Sequence, residues 1–531
     1  MRTLDRSPVP IVAEHDTPIA MRDGTILRAD VFRPQGTVPT LLVRGPYGGG
    51  AFRSVPVMPA IEAGFAVVLQ HCRGRGTSDG DFQPWLDEGP DGYDTIEWIA
   101  GQDWSNGDVV MSGVSYLAGC ALQAAAMRPS GLRAVVATMT PYDFYDGLNY
   151  YGGAFALGSA LYWGTLQTML GLMHSAAAGE DVGAGFGALL PLLADQPAAQ
   201  RTLPLRDVPL ANFREWIAHP TRDEYWEGAA RTLRHDQIQV PVMHTGGWFD
   251  LFLAGTLENH RRLGGPLTIG PWTHAQLTTN AGRLDFGFFA AATAARLEER
   301  ELAFLAAASD YGEPSVRIFV MGDNVWRDEP AWPLAAAVPT RYYLHIDGRL
   351  DPAEPTSAEP RTFTHDPADP VPTVGGPLLL ADPTLIGPQE QRDVEARPDV
   401  LCYTTDVLTA DVEVTGPLSV TLIASTSAVS TDWTAKLVDV WPDDRAMSVI
   451  DGIVRVAAEP GEPANHVVDL VATSQVFKAG HRIRVQIASS NFPRFDRNPG
   501  TGKTSAESAG LVVAQQRVYP QSFITLPIVA R

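Results

Sequence analysis

The chain has 531 residues, of which 45% are hydrophobic and 19% charged, with 61 acidic against 40 basic side chains and a formal net charge of −21. This composition excludes a disordered chain, which would lack the apolar material for a core. The acidic balance repels phosphate backbones and argues against a nucleic-acid partner. At about 150 residues per domain, the length suggests three or four domains.

Three cysteines, Cys72, Cys120 and Cys402, are too few for a disulfide framework and fit a reducing compartment. Neither CxxC nor HExxH occurs, so no metal site is expected. The opening MRTLDRSPVPIVAEHD lacks the apolar run of a signal peptide, and apolar stretches such as 65–69 fall far short of a bilayer span. A cytoplasmic protein without a membrane partner is expected.

From Thr40 onward the chain reads as α/β. TLLVRGPYG, FAVVLQHC, DVVMSG and LRAVVATM are short apolar runs of the kind that form strands buried on both faces. Between the second and third, DGYDTIEWIA places Tyr93, Ile96, Trp98 and Ile99 at near-helical spacing. Between the third and fourth, YLAGCALQAAAMRP is rich in helix formers and ends at Pro129. The alternation predicts a parallel, doubly wound sheet. Residues 144–235 are rich in Ala, Leu and Trp and read as a helical insertion. Strand signals return with VPVMHTGG, PLTIGPW and SVRIFVMG. From about 336 the pattern becomes all-β: RYYLHIDG, TAKLVDVWP, HVVDLVATSQVF and HRIRVQIASSNFP alternate between Gly, Pro, Asp and Asn breaks. The expected domains are therefore 1–143 with 236–335, a helical insertion at 144–235, and a β-sandwich at 336–531.

The strongest chemical signal is VVMSGVSYLAGCALQAAA, a strand that runs through Gly113-Val114-Ser115-Tyr116-Leu117 straight into a helix. That is the context of a nucleophile elbow, where small residues let strand and helix approach and the helix N-terminus lies beside the serine. Ser115 also reads as a plain helix N-cap. A nucleophilic serine needs a base and an orienting carboxylate, in the order Ser, Asp or Glu, His. His274, in the loop after the strand PLTIG, is the histidine in the right place. Asp250, in GGWFDLF after VPVMHTG, is the matching acid, and it too could serve as an N-cap. His244 lies within the strand VPVMHTGG, which suits a core role or a supporting one behind the site. The backbone N–H of Tyr116 is one expected oxyanion donor. The O–H of Tyr47, in RGPYGGG at the edge of the sheet, is a second, or else an ordinary packed tyrosine. The glycine run lacks the Lys-Ser/Thr of a P-loop.

These segments resemble the cocaine esterase and X-prolyl dipeptidyl peptidase family of serine hydrolases, which includes α-amino acid ester hydrolases and glutaryl acylases. MRDGTILRADVFRP resembles the family's opening hairpin. RGPYG, QHCRGRGTSDGDF, GVSYLA, GGWFDLF and GPWTH follow in the family's order. DVLCYTTDVL, VTGPLSV, DWTAKLVDVWPD, DGIVR and GHRIRVQIASSNFPRFDRN resemble its β domain. The resemblance covers almost the whole chain. It implies an α/β fold, with an α/β-hydrolase core, an inserted helical cap and a C-terminal jelly roll. It implies acyl transfer through Ser115, with His274 as base, Asp250 as acid, and Tyr47 and Tyr116 as oxyanion donors, without cofactor or metal. Trp163 and Phe252 match aromatic acyl-pocket positions of the cocaine esterase type. Leu379 and Leu380 are expected beside them, and Tyr150 and Tyr151 stand where that type has a tryptophan. Core packing is the alternative for each aromatic.

Two departures stand out. Ala118 closes the elbow in place of glycine, and GGG after Tyr47 replaces a larger, more polar stretch. The expected partner is a small-molecule ester or amide, and association into a homo-oligomer is left open. An ester with an apolar or aromatic acyl group is the first reading. A peptidase, α-amino acid ester hydrolase or acylase with the same triad is the second. A carbohydrate-binding or scaffolding protein with an inactive hydrolase domain is a third, against which the intact Ser–Asp–His order and Tyr47 argue.

Overall fold

The computed structural model describes residues 10–48, 52, 55–228, 233–274, 276–312, 315–380 and 382–531. The N-terminal part begins with strands β1 (Ile11–Ala20), β2 (Ile26–Pro34) and β3 (Val38–Gly45), helix α1 (Val57–Glu62) and β4 (Ala66–His71). It continues with α2 (Glu88–Ala100), β5 (Ser105–Val114), α3 (Tyr116–Ala126) and β6 (Leu132–Thr138). A helical stretch follows. It opens with a small hairpin, β7 (Tyr150–Tyr151) and β8 (Ala154–Phe155). Then come α4 (Leu157–Ala177), α5 (Gly183–Ala194), α6 (Gln196–Arg201), α7 (Ala211–Ala218) and α8 (Glu224–Glu227). The sheet resumes with β9 (Val242–Phe249), α9 (Leu253–Leu263), β10 (Leu267–Thr273), the hairpin β11 (Asn280–Ala281) and β12 (Leu284–Asp285), α10 (Leu297–Ala307), β13 (Val316–Val320) and β14 (Val325–Glu329).

One ten-stranded sheet results, in the order β1-β2-β4-β3-β5-β6-β9-β10-β13-β14. From β4 to β13 every pairing is parallel. The edge pairings are antiparallel: β1/β2, the opening hairpin that the resemblance implies, and β2/β4 and β13/β14. The physical reason for β1/β2 and β13/β14 is connection length, because a short turn can join only antiparallel neighbours. The parallel strands are apolar because helices cover both faces. Leu42, Val68, Met111 and Val135 pack with Ile96, Ala121 and Leu122 on one side, and Leu41, Val67, Val110 and Val136 with Ile61 and Phe304 on the other.

The C-terminal part is a jelly-roll sandwich. Its strands are β15 (Ala337–Leu344), β16 (Leu350–Asp351), β17 (Arg361–His365), β18 (Leu401–Thr404), β19 (Val412–Thr426) and β20 (Ser430–Val440). They continue with β21 (Ala446–Ala457), β22 (Ala464–Phe477), β23 (Arg482–Ala488), β24 (Ala514–Val518) and β25 (Phe523–Val529), with one short helix, α11 (Arg392–Glu395). One sheet runs β16-β15-β25-β19-β24-β17 with β22 on β19, and the other β18-β23-β20-β21. The sandwich core around Trp433, Val468 and Phe477 is continuous with Trp248, Ile269 and Phe319 of the parallel sheet. Backbone bonds from Met321 N–H to Ser474 and from Val476 N–H to Met321 join the two parts. Among the described residues no helix is long and apolar enough to cross a membrane.

The helical stretch is held from both sides. Its core of Leu157, Leu210, Phe213 and Trp216 packs on Trp85, Tyr116 and Cys120 below and on Phe492 of the sandwich. The tip of the β7–β8 hairpin meets β21 so closely that a Cβ on Gly152, at φ +51°, would lie 2.3 Å from the Ile453 carbonyl oxygen. Gly152→Ala should therefore cost about 1–3 kcal/mol, read as a lower denaturation midpoint. Gly187→Ala, in α5 with open space around it, should leave the midpoint unchanged or raise it.

Candidate active site

The parallel strands end at a common edge, where ligands bind in such sheets. Tyr47 lies two residues beyond β3, Ser115 directly after β5, Asp250 directly after β9 and His274 directly after β10. Because β3 is the neighbour of β5, Tyr47 stands beside Ser115.

Ser115 adopts φ +62°, ψ −125°, a conformation that costs a non-glycine residue about 1–3 kcal/mol. Its side chain makes no capping bond to α3, so it is more than an N-cap. Its N–H donates to Thr138 O at 2.9 Å, and its carbonyl accepts from Gly119 N–H at 3.1 Å. The turn demands small neighbours. A Cβ on Gly113 would lie 2.3 Å from the Leu117 carbonyl carbon, while the Ala118 methyl is accommodated and fully buried.

His274 Nε2 lies 3.0 Å from Ser115 Oγ, and its Nδ1 lies 2.7 Å from Asp250 Oδ1. Two glycines let β9 and β10 carry these side chains so near each other. A Cβ on Gly247 would meet the Trp272 carbonyl oxygen at 2.2 Å, and one on Gly270 the Trp272 indole at 2.4 Å. Asp250 is 1% exposed; its Oδ1 meets His274 and its Oδ2 has no hydrogen-bond partner among the described residues, so the carboxylate is not spent on capping α9. The Phe252 ring packs edge-on against the His274 imidazole at 5.3 Å. His244 is buried in β9 and bonds Gly264 O through Nε2, a core histidine whose pKa burial pushes down to about 3.

The Tyr47 hydroxyl accepts from Trp163 Nε1 at 3.0 Å and also interacts with the Ser115 hydroxyl. Burial pushes this phenol well above its ordinary pKa, so it stays protonated. Gly49 and Gly50 of the following glycine run lie outside the described residues. The Tyr116 side chain points into the core, where its O–H donates to Glu88 Oε1 at 2.8 Å and accepts from Trp85 N–H at 2.9 Å.

Glu88 in turn faces the fully buried Arg44, whose Nη1 lies 3.3 Å from Oε2 and donates to the Glu88 carbonyl at 2.7 Å. Arg44 Nε donates to Gln70 at 2.6 Å. This network fixes α2 against α3, the helix that follows Ser115. Among the described residues, Cys72, Glu88 and Cys120 bring donor atoms within 4.8 Å of one another. They fit a metal poorly: Arg44 already supplies the positive charge, and burial pushes both thiols up.

The serine opens into a cleft enclosing about 510 Å³ of space, part of it open to solvent. Of the expected acyl-pocket residues, Trp163, Phe252 and Leu379 line it, and Leu380, Tyr150 and Tyr151 do not. Tyr150 is turned into the cap, where its O–H donates to Trp216 O and its ring stacks on Tyr145. Tyr151 lies behind Leu251, whose carbonyl accepts its O–H at 3.1 Å. Trp85, Leu148, Asn149, Ser159, Trp216 and Leu251 also line the cleft and were not anticipated. Ser159, Ala160 and Trp163 share one helix face, a spacing that could have found the first two once Trp163 was named.

The family model described as X-Pro dipeptidyl-peptidase (S15 family) matches residues 23–276, and that described as X-Pro dipeptidyl-peptidase C-terminal non-catalytic domain matches residues 311–522. Cocaine esterase from Rhodococcus sp. (strain MB1 Bresler) is 38% identical to this chain, covering 97% of it and 98% of the relative. A solved aminopeptidase from the marine sediment archaeon Thaumarchaeota archaeon superposes with a TM-score of 0.83 at 25% identity, covering 100% of this chain and 98% of that one. A solved α-amino acid ester hydrolase gives 0.81 at 25% identity, covering 99% and 98%.

Beneath the strand ends, Thr138 and Thr245 donate from their hydroxyls to Glu301 Oε1 at 3.4 Å each. Burial pushes this carboxyl up to about 7 from its ordinary 4.5. The fold thus holds the proton more tightly than the unfolded chain does. The resulting stability is present below the ordinary carboxyl pKa and is lost as pH rises through about 7. Glu301→Gln should remove that part of the pH dependence, so that wild type loses stability relative to the variant between pH 5 and 8. Denaturant midpoints at the two pH values check this, and parallel changes in the two proteins contradict it.

Proposed function

The chain belongs to the cocaine esterase and X-Pro dipeptidyl-peptidase (S15) family of α/β-hydrolases, and from that premise we propose that it is a serine esterase acting on small esters with a neutral, apolar or aromatic acyl group. The observation that carries this reading is the unbroken chain Ser115–His274–Asp250, at 3.0 and 2.7 Å, opening into a cleft walled by Trp163, Phe252, Trp216 and Leu379.

In this reading His274 Nε2 takes the Ser115 proton as Oγ attacks the ester carbonyl. Asp250 holds Nδ1–H and stabilises the imidazolium that forms. The oxyanion is met by the Tyr47 O–H and by the N–H of Tyr116, the first residue of α3, where the helix dipole adds positive potential. The imidazolium then gives its proton to the departing alkoxide. Water, deprotonated by the same nitrogen, attacks the acyl-enzyme and releases the acid and Ser115.

The lining of the cleft favours an ester over an aminoacyl substrate. Among its described lining residues there is no carboxylate and no Lys or Arg. The ammonium of an aminoacyl chain would lose its hydration there without gaining a counter-charge. The free thiols Cys72 and Cys120 fit a reducing, cytoplasmic setting.

Ser115→Ala should abolish ester turnover and fluorophosphonate labelling while leaving the fold intact by circular dichroism; labelling of the variant at the wild-type rate would refute the nucleophile. Tyr47→Phe should lower kcat by about 10²–10³, the usual loss for one oxyanion donor. A panel of p-nitrophenyl esters and aminoacyl-prolyl anilides should show higher kcat/KM on the esters, and the reverse preference would transfer the site to the peptidase reading.

A further inference from the structure

The hydrogen bond between Trp163 and Tyr47 crosses from the cap helix α4 to the loop after β3, and its polarity is fixed. An indole nitrogen can only donate, and a phenol oxygen carries one proton and accepts on its lone pairs. With Nε1 at 3.0 Å, Tyr47 must be the acceptor. The phenolic proton is then driven away from the indole, and Tyr47 and Ser115 line the same cleft. We propose that Trp163 is a positioning residue for the oxyanion hole, whose N–H occupies one side of the Tyr47 oxygen and so aims the phenolic proton at the reacting carbonyl. This rests on the reading of Tyr47 as an oxyanion donor.

The indole is well held for this task. One face lies near the Tyr116 ring, at 5.8 Å and 21° between planes, and Trp216 packs against it at 5.8 Å. Tyr116 is itself sandwiched by Trp85 at 3.9 Å and tied to Glu88. Farther along α4, Arg75 of the core donates to the Gln167 carbonyl at 3.1 Å, a second tie between this helix and the parallel-sheet part. A donor on the phenol oxygen also strengthens the O–H as a donor, because successive hydrogen bonds polarise one another. A freely rotating Tyr47 O–H would have to be oriented during the reaction; here the orientation exists before substrate arrives. Since the same indole walls the acyl pocket, one side chain serves both the acyl group and the oxyanion.

The test is a double-mutant cycle of Trp163→Phe and Tyr47→Phe, assayed with p-nitrophenyl acetate, whose acyl group is too small to fill the pocket, and with p-nitrophenyl benzoate. Trp163→Phe keeps an aromatic wall and loses only the donor. Its kcat should fall about five- to tenfold on both esters, and in the Tyr47→Phe background it should cause no further loss. Trp163→His, which can place Nε2 where the indole nitrogen stands, should recover part of the lost kcat and guards against a misfolded Phe variant. An equal loss in both backgrounds, or a loss confined to the benzoate as a rise in KM, overturns the positioning role while leaving Tyr47 as the donor. An unimpaired Tyr47→Phe single variant overturns the oxyanion reading itself, and the inference with it.

Discussion

A serine held at φ +62° between a buried strand and a buried helix sets the terms for everything around it. That conformation is unfavourable by itself, and it persists because β5 and α3 are both locked by packing. Gly113 has no room for a side chain, and Ala118 fills what little space remains. The Ser115 N–H is drawn to Thr138 of the adjacent strand. With the backbone so constrained, Oγ projects from the sheet edge and Tyr116 opens the helix with its N–H beside it.

The buried charges around this elbow serve position more than stability. Removing ions from water is costly, and a buried pair rarely returns more than it cost to bury. The Arg44–Glu88 pair sits beneath α3 and supplies the acceptor for the Tyr116 hydroxyl. In the sandwich, Arg455 is gripped by Asp432 and Asp496 at 2.8 Å each. Asp496 exchanges hydrogen bonds with Phe155 of the β7–β8 hairpin. Both networks link separate parts of the chain at defined distances, which a sliding apolar contact would not do.

The cap is thus clamped between two partners. Its lower face rests on the rings that continue from Tyr116, and its upper face on the 491–505 segment, through Gly158 to Arg494 and Leu205 to Ser505. This places Trp163, from the cap, and Leu379, from the sandwich, around one serine from the parallel sheet. The cleft in front of Ser115 belongs to no single layer of the molecule.

Much of this was legible in the chain itself. Period and composition marked the parallel strands, because a strand buried on both faces must be apolar throughout, and they marked the sandwich by its alternation. The elbow was readable because its steric demands act within five residues. Asp250 and His274 followed from strand order, since parallel strands deliver their loops to one edge. The opening hairpin at one edge was legible by resemblance, whereas the antiparallel β13/β14 pairing at the other was not, because strand direction there depends on turn length. The orientation of aromatic side chains was beyond reach in the same way. Tyr150, Tyr151 and Trp163 look alike as aromatics in a helical or loop setting, yet only Trp163 lines the cleft. Which way each ring turns depends on contacts with Trp216, Leu251 and Tyr47, residues far away in the chain. Local sequence determined the backbone that presents the chemistry; only the packing of three distant segments decided the shape of the space in front of it.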